Sequence, residues 1–234
     1  MQDKKLLKIS AAVSLISGLV ILFSTFYPIA SYESSSRERY PNLISPVASE
    51  DINQVTLPSL DYTKASNWFV GDVKGFSVDD SEVSYYTLSI PKLDIRNALV
   101  EVGGEDLSDS LIQYSGTAIP GKVGNSVIFG HSILPQFYDP NDYLAIFSTL
   151  PTLEKGDEIK VSFDGVTYRY KVETMFEVLP TELEVLDQNT NDSYLSLITC
   201  VPPGHPLKPK RLVVRAKIIP PEVQDDQANA TIGN

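Results

Sequence analysis

Three side chains of the types that nucleophilic catalysis requires stand far apart in this chain: Cys200, His131 and Arg211. Cys200 is the sole cysteine and closes the segment "SYLSLITC", which alternates like a strand. A free thiol has a pKa of about 8.5, so only a few per cent is thiolate at neutral pH, and a catalytic cysteine needs a base or a cationic neighbour. His131 follows the apolar run "SVIFG", and Arg211 opens "RLVVRAKII" just beyond the loop after Cys200. The second histidine, His205, lies among prolines in "PPGHPLKPK" and reads as solvent-exposed. Each residue also has a plain structural reading: a buried small hydrophobe, a rim histidine, a surface cation with a packed stem.

Position separates the two readings. If "SYLSLITC" and "RLVVRAKII" are neighbouring antiparallel strands, the end of the first lies beside the start of the second. Cys200 and Arg211 then share one rim of the sheet. His131, also at a strand end, completes a three-residue site at a barrel mouth, with loops above it to shape a groove.

The elements able to hold such a rim are strands. "YYTLSIPKLDI", "NALVEV", "GNSVIFGHS", "SYLSLITC" and "RLVVRAKII" all read as strands. "DEIKVSFDGVTYRYKVETMFEV" carries Asp164-Gly165 between two runs rich in β-branched and aromatic residues, a strong hairpin signal. "DLSDSLIQYSG", with Asp106 as a candidate N-cap, predicts one or two helical turns, and "DYLAIFSTLPTL" has helical spacing up to Pro151. Seven or eight short strands with no βαβ rhythm predict a mostly β fold, a barrel or a sandwich.

Composition and the N-terminus restrict function and location. The net charge of -11 makes nucleic acid a poor partner, and two histidines with one cysteine exclude the usual zinc frameworks. Residues Ile9–Ala30 carry no charge; as a helix this run is roughly 33 Å long, enough for a hydrocarbon core of about 30 Å. It is longer than the apolar part of a signal peptide, and Pro28-Ile29-Ala30 is a poor cleavage site. Lys4, Lys5 and Lys8 precede it, so the reading is an uncleaved single-pass anchor with a cytoplasmic N-terminus and an extracellular body. The expected organisation is residues 1–8 cytoplasmic, 9–30 transmembrane, 31–84 a polar stalk, 85–219 the folded domain and 220–234 a disordered tail. Within the stalk, "DYTKASNWFV" holds Trp68, the sole tryptophan, and reads as a short helix or turn that pins the linker to the domain, or as a loosely attached aromatic.

"LITC", a short Pro/Gly-containing loop and "RLVVRA" together resemble the Cys–Arg signature of the sortases, membrane-anchored cysteine transpeptidases of bacterial surfaces. "LSIPKLDI", "YSGTAIPGKVGNSVIFGHS" and "LPTLEKGDEIKV" resemble sortase blocks in the family's order, so the likeness covers residues 85–219. It implies a closed or nearly closed, antiparallel or mixed β-barrel of about eight strands with one or two short helices. It also implies Cys200 as nucleophile, His131 as general acid/base and Arg211 as the residue that orients substrate or stabilises an oxyanion. Arg215 lies four positions along the same strand, but the family's arginine opens that strand. Thr199 fits the pattern and would help shape the oxyanion site. The implied substrates are exported proteins with an LPxTG-like sorting signal, joined to a cell-wall or pilin amine. No metal ligand and no cofactor is assigned; calcium, which some members bind, would draw on Glu101, Glu105, Asp106 and Asp109. The loop "HSILPQFYDPNDY" is long enough for a rim or partial lid, and no clear N-terminal plug of the kind carried by pilin-polymerising sortases is evident. The rival readings are a membrane-tethered β-domain that binds peptide or glycan without turnover, and an enzyme that mainly hydrolyses.

Overall fold

Alternation of side chains along eight strands sets the architecture. The computed structural model describes residues 2–40, 61–69 and 85–220. The expected tail from residue 221 onward and most of the expected stalk lie outside them. Helix α1 (Gln2–Arg39) is followed by β1 (Tyr85–Ile90), β2 (Ile95–Val102), β3 (Leu111–Gln113), β4 (Gly124–Phe129), β5 (Glu158–Phe163), β6 (Val166–Val178), β7 (Ser193–Val201) and β8 (Lys210–Ile218). The strands close into a barrel in the order β1-β2-β3-β4-β7-β8-β6-β5. The β2–β3 and β4–β7 pairs are parallel and the rest antiparallel, so the sheet is mixed.

One residue of every two points inward. Leu88 of β1, Val100 of β2, Leu111 of β3, Ile128 of β4, Val161 of β5, Tyr170 of β6, Leu197 of β7 and Val214 of β8 all join one buried cluster, which fills the barrel. The intervening residues of β4, β7 and β8, namely Val127, Phe129, Ile198, Cys200 and Val213, join a second cluster on the outside of that wall. The expected hairpin is present: β5 and β6 pair from Phe163↔Val166. Asp164 and Gly165 both have positive φ, 48° and 74°, as a two-residue primed turn requires.

Two expected helices are absent. Leu111–Gln113 is strand β3, because pairing with β2 and β4 outweighs the helical spacing of Leu107 and Leu111. Asp106 caps a turn rather than a helix, accepting from the backbone N–H and hydroxyl of Ser108. Residues 143–149 form successive turns and end in a 3-10 turn at Leu150–Thr152. An α-helix would need the Phe147 N–H to bond four residues back; instead it donates to the carbonyl of His131 at 2.9 Å. The diverted bond braces the site described below.

Helix α1 is long and apolar enough to cross a membrane. Side chains from Lys4 to Ser24 are exposed; beyond them Thr25, Pro28, Ile29, Tyr32, Ser36 and Tyr40 turn one face to the barrel. Tyr32 donates to Glu177 at 2.8 Å, and Lys210 donates to the same carboxylate at 3.0 Å. Tyr40, just after the helix, donates to the Pro151 carbonyl at 2.9 Å.

Candidate active site

The three singled-out residues meet on the outer face of the β4–β7–β8 wall, not at an open mouth. Cys200 and Arg211 are direct partners in the β7–β8 register. The parallel β4–β7 register ends at Phe129↔Ile198, and its continuation by two residues sets His131 beside Cys200. Gly130 N–H donates to the Ile198 carbonyl at 3.1 Å, Thr199 Oγ1 to the Gly130 carbonyl at 2.8 Å, and Ser132 Oγ to the Cys200 carbonyl at 2.6 Å. Thr199 therefore points away from the groove and acts as a cross-strand tie. Gly130 is required by close approach: a Cβ there would lie 2.5 Å from the Phe147 ring and 2.6 Å from Leu111. Arg215, on the same face as Arg211, pairs with Ser196, roughly 13 Å along the strand from Cys200.

The floor of this face is apolar, formed by Val127, Phe129, Ile198 and Val213, with Leu107, Val185 and Leu186 in the same cluster. At its far end Ser196 donates to Asn125 at 2.7 Å, Asn125 donates to the Val185 carbonyl at 2.9 Å, and Arg215 Nε donates to Ser196 at 3.3 Å.

A roof covers the floor. Residues 61–69 run over it as a strap held by an isolated bridge between Lys64 and Asp106, with a 3-10 turn at Ala65–Asn67. Trp68 is wholly buried; its ring lies 5.2 Å from Phe129 and 5.7 Å from His131, centre to centre. Its carbonyl accepts from Arg211 Nε at 3.2 Å, and its indole N–H donates to the Tyr62 carbonyl at 2.9 Å. No plug was evident in the sequence, and in the structure residues 61–69 cover this face through Trp68. The available signal was a lone tryptophan beside a phenylalanine in an otherwise polar linker.

Under this roof burial disfavours charge on both Cys200 and His131. Cys200 is 2% exposed, and burial pushes its thiol pKa up, against the opposing pull of Arg211 and Lys208. Burial, aided by the Lys208 cation, lowers the His131 pKa to about 4, while Asp106 and Asp61 oppose the shift. His131 Nε2 is buried with no hydrogen-bond partner. Arg211 is also buried, and its guanidinium donates to the carbonyls of Trp68, Lys208 and Lys210. Among the described ion pairs Arg211 has no carboxylate partner. Among the described residues, a buried cation held by carbonyls and a buried imidazole nitrogen lacking a partner leave polar capacity on this face unfilled.

Three of the four acidic residues considered for calcium accept hydrogen bonds from protein donors. Glu101 accepts from Tyr85, Glu105 from the Ser66 N–H and Asp106 from Ser108. No group of three or more metal-ligating side chains occurs among the described residues.

Cysteine, histidine and arginine, residue types that thiol-dependent acyl transfer uses, gather on one wall of a closed mixed β-barrel. The sortase domain model matches residues 88–219. Sortase A of Bacillus anthracis is 24% identical over 202 residues, covering 86% of this chain and 90% of that protein. Sortase A of Listeria monocytogenes is 27% identical over 212 residues, covering 86% and 87%. Among solved structures, sortase C-1 of Actinomyces oris superposes with a TM-score of 0.51 at 28% identity, covering 60% of this chain and 76% of that one. Sortase A of Corynebacterium diphtheriae gives 0.51 at 29%, covering 62% and 64%. The chain belongs to the sortase family and is a cysteine transpeptidase.

Proposed function

We propose that this transpeptidase cleaves an LPxTG-like sorting signal on exported proteins through an acyl-thioester on Cys200 and passes the acyl group to an amine on the cell wall or a pilin. The observation that carries the reading is the register itself: Cys200 faces Arg211, with His131 two residues past the end of the adjoining β4, above one apolar floor. That floor suits the leucine and proline of such a signal. The charge-free run after Lys4, Lys5 and Lys8 supports a single-pass anchor in the cell membrane with the barrel outside.

The reaction starts when a substrate peptide takes the place of Trp68 on Phe129 and frees the Arg211 N–H that the Trp68 carbonyl occupies. Water and peptide dipoles then relieve the burial that holds both Cys200 and His131 neutral. The Cys200 proton moves to His131, and the thiolate attacks the threonine carbonyl carbon. Arg211, a permanent cation with fixed donors, stabilises the oxyanion or the adjacent peptide backbone. Collapse breaks the C–N bond, and His131 gives its proton to the departing amine, leaving the thioester. An incoming amine attacks that thioester and gives its proton to His131. The second collapse makes the new amide and expels the thiolate. Water in place of the amine gives hydrolysis.

The test is mass spectrometry of products from the full chain and a library of LPxTG-like peptides, with and without an added amine. The expected result is an amide-linked product that needs both the amine and Cys200. Cleavage without amide formation in the presence of amine would establish the hydrolase reading. No cleavage, with peptide affinity unchanged in Cys200→Ala, would establish the binding module.

A further inference from the structure

The end of the apolar run of α1 is already in contact with the barrel. Gln136, in the 3-10 turn Pro135–Phe137, donates to the Ser24 carbonyl at 3.0 Å. Ser24 lies inside the uncharged stretch, six residues before Ala30. From Thr25 onward the helix turns one face to protein, so the part left for lipid ends there. Counting back from Thr25, 20 residues reach Leu6, just after Lys4 and Lys5; that length is roughly 30 Å, the thickness of a hydrocarbon core. Lys8, one turn inside, has the stem to snorkel to the headgroups. Phe23, Phe26 and Tyr27 are exposed at the outer end, where an aromatic belt sits. The hydrocarbon boundary therefore falls at the level of the loop that holds Gln136.

The neighbouring surface suits that level. Outside α1, only three of the described large apolar side chains exceed 60% exposure: Val123 (68%), Phe137 (63%) and Leu207 (76%). Phe137 follows Gln136 directly. Leu207 is on the β7–β8 loop, which packs against the first, since a Cβ on Gly204 would lie 2.6 Å from Leu134 Cγ. In water two such residues forgo the burial that stabilises an apolar side chain.

We propose that these two loops form a lipid-contacting seat, with Phe137 and Leu207 entering the outer interface of the bilayer that α1 crosses. This rests on the reading of α1 as a membrane anchor. The tether makes insertion intramolecular, so two side chains suffice where a free domain would need more. His131 is six residues before Phe137 and Cys200 seven before Leu207, so the seat holds the groove within one loop's length of the headgroups. The enzyme is thereby matched to peptides and amines that are themselves tethered at the membrane surface.

The test uses the full chain with Cys200→Ser, which removes the sole thiol, in phosphatidylcholine/phosphatidylglycerol vesicles. A nitroxide is attached in turn to Leu19→Cys, Phe137→Cys, Leu207→Cys and Val166→Cys. Val166 starts β6, at the opposite rim from the Val178↔Arg211 end, and reports bulk water. Collisions with oxygen and with an aqueous nickel chelate are then read by electron paramagnetic resonance. The seat predicts a loss of nickel collisions and a gain of oxygen collisions at 137 and 207 relative to 166, with 19 fully in lipid. If 137 and 207 match 166 while 19 is in lipid, the seat is refuted and the anchor stands. If 19 is accessible to nickel, the anchor reading fails and the seat with it.

Discussion

The inward and outward faces of one wall of this barrel are built from alternate residues of the same strands, yet they obey different rules. Along β7, Leu195, Leu197 and Val201 join the interior cluster, where side chains fill space and polar groups find partners within the fold, Tyr86 donating to Gln113 at 2.7 Å and Thr199 to the Gly130 carbonyl at 2.8 Å. Ser196, Ile198 and Cys200 face outward under a strap, beside Arg211, Arg215 and His131. The interior is satisfied by its own sequence. Among the described residues, the outer face keeps a buried cation without a carboxylate and an imidazole nitrogen without a partner. Stability lies on one face and unmet polar capacity on the other, so changes to the two faces should separate cleanly.

The largest separation is expected between neighbours. Cys200→Ala should abolish amide formation while leaving thermal unfolding near that of the wild type. Leu197→Ala, three residues earlier and facing inward, should cost about 2–5 kcal/mol of stability and leave chemistry in the folded fraction intact. Denaturant unfolding and peptide turnover measured on both variants check this.

Next in size is the arginine pair. Arg211→Lys should lower kcat/KM by roughly 100- to 1,000-fold, as loss of a fixed oxyanion donor does. Arg215→Lys, whose partners are Ser196 and the Val185 carbonyl, should change it by less than about tenfold. Equal losses in steady-state kinetics would mean that register does not select between them.

The histidine gives a pH test. Its folded pKa of about 4 lies below the ordinary value of about 6.5, so the unfolded chain binds more protons between the two. The contribution to stability is complete above pH 6.5 and is lost as pH falls through 4, reaching on the order of 3 kcal/mol. NMR titration should show His131 near 4 in the wild type and nearer 6.5 in Trp68→Gly. The same substitution should speed alkylation of Cys200 by roughly tenfold or more, since each 1.4 kcal/mol taken from the closed form raises the exposed fraction tenfold.

Much of this was legible from residue patterns because it depends on local rules. Asp164-Gly165 dictates its hairpin, and the alternation in "SYLSLITC" and "RLVVRA" brings Cys200 opposite Arg211. Family resemblance supplied the closed barrel that strand patterns alone left open to a sandwich. What escaped depends on long-range pairing. Leu111–Gln113 reads as helix by spacing, yet its neighbours are β2 and β4. The turns at 143–149 lose their helical bond because the Phe147 N–H is drawn to His131. Trp68, 132 residues before Cys200, covers the groove through contacts that no local pattern encodes, and so the expected mouth is a roofed wall.

The central claim is that Cys200 forms the covalent intermediate on that outer face once Trp68 moves aside. Intact-mass analysis of the full chain mixed with an LPxTG-like peptide, without added amine, tests it most directly, comparing wild type with Trp68→Gly. The account predicts a mass gain equal to the acyl fragment, mapped to Cys200 by fragmentation, that appears faster in Trp68→Gly. An adduct on another residue, or a Cys200 adduct that forms no faster without the indole, would contradict it.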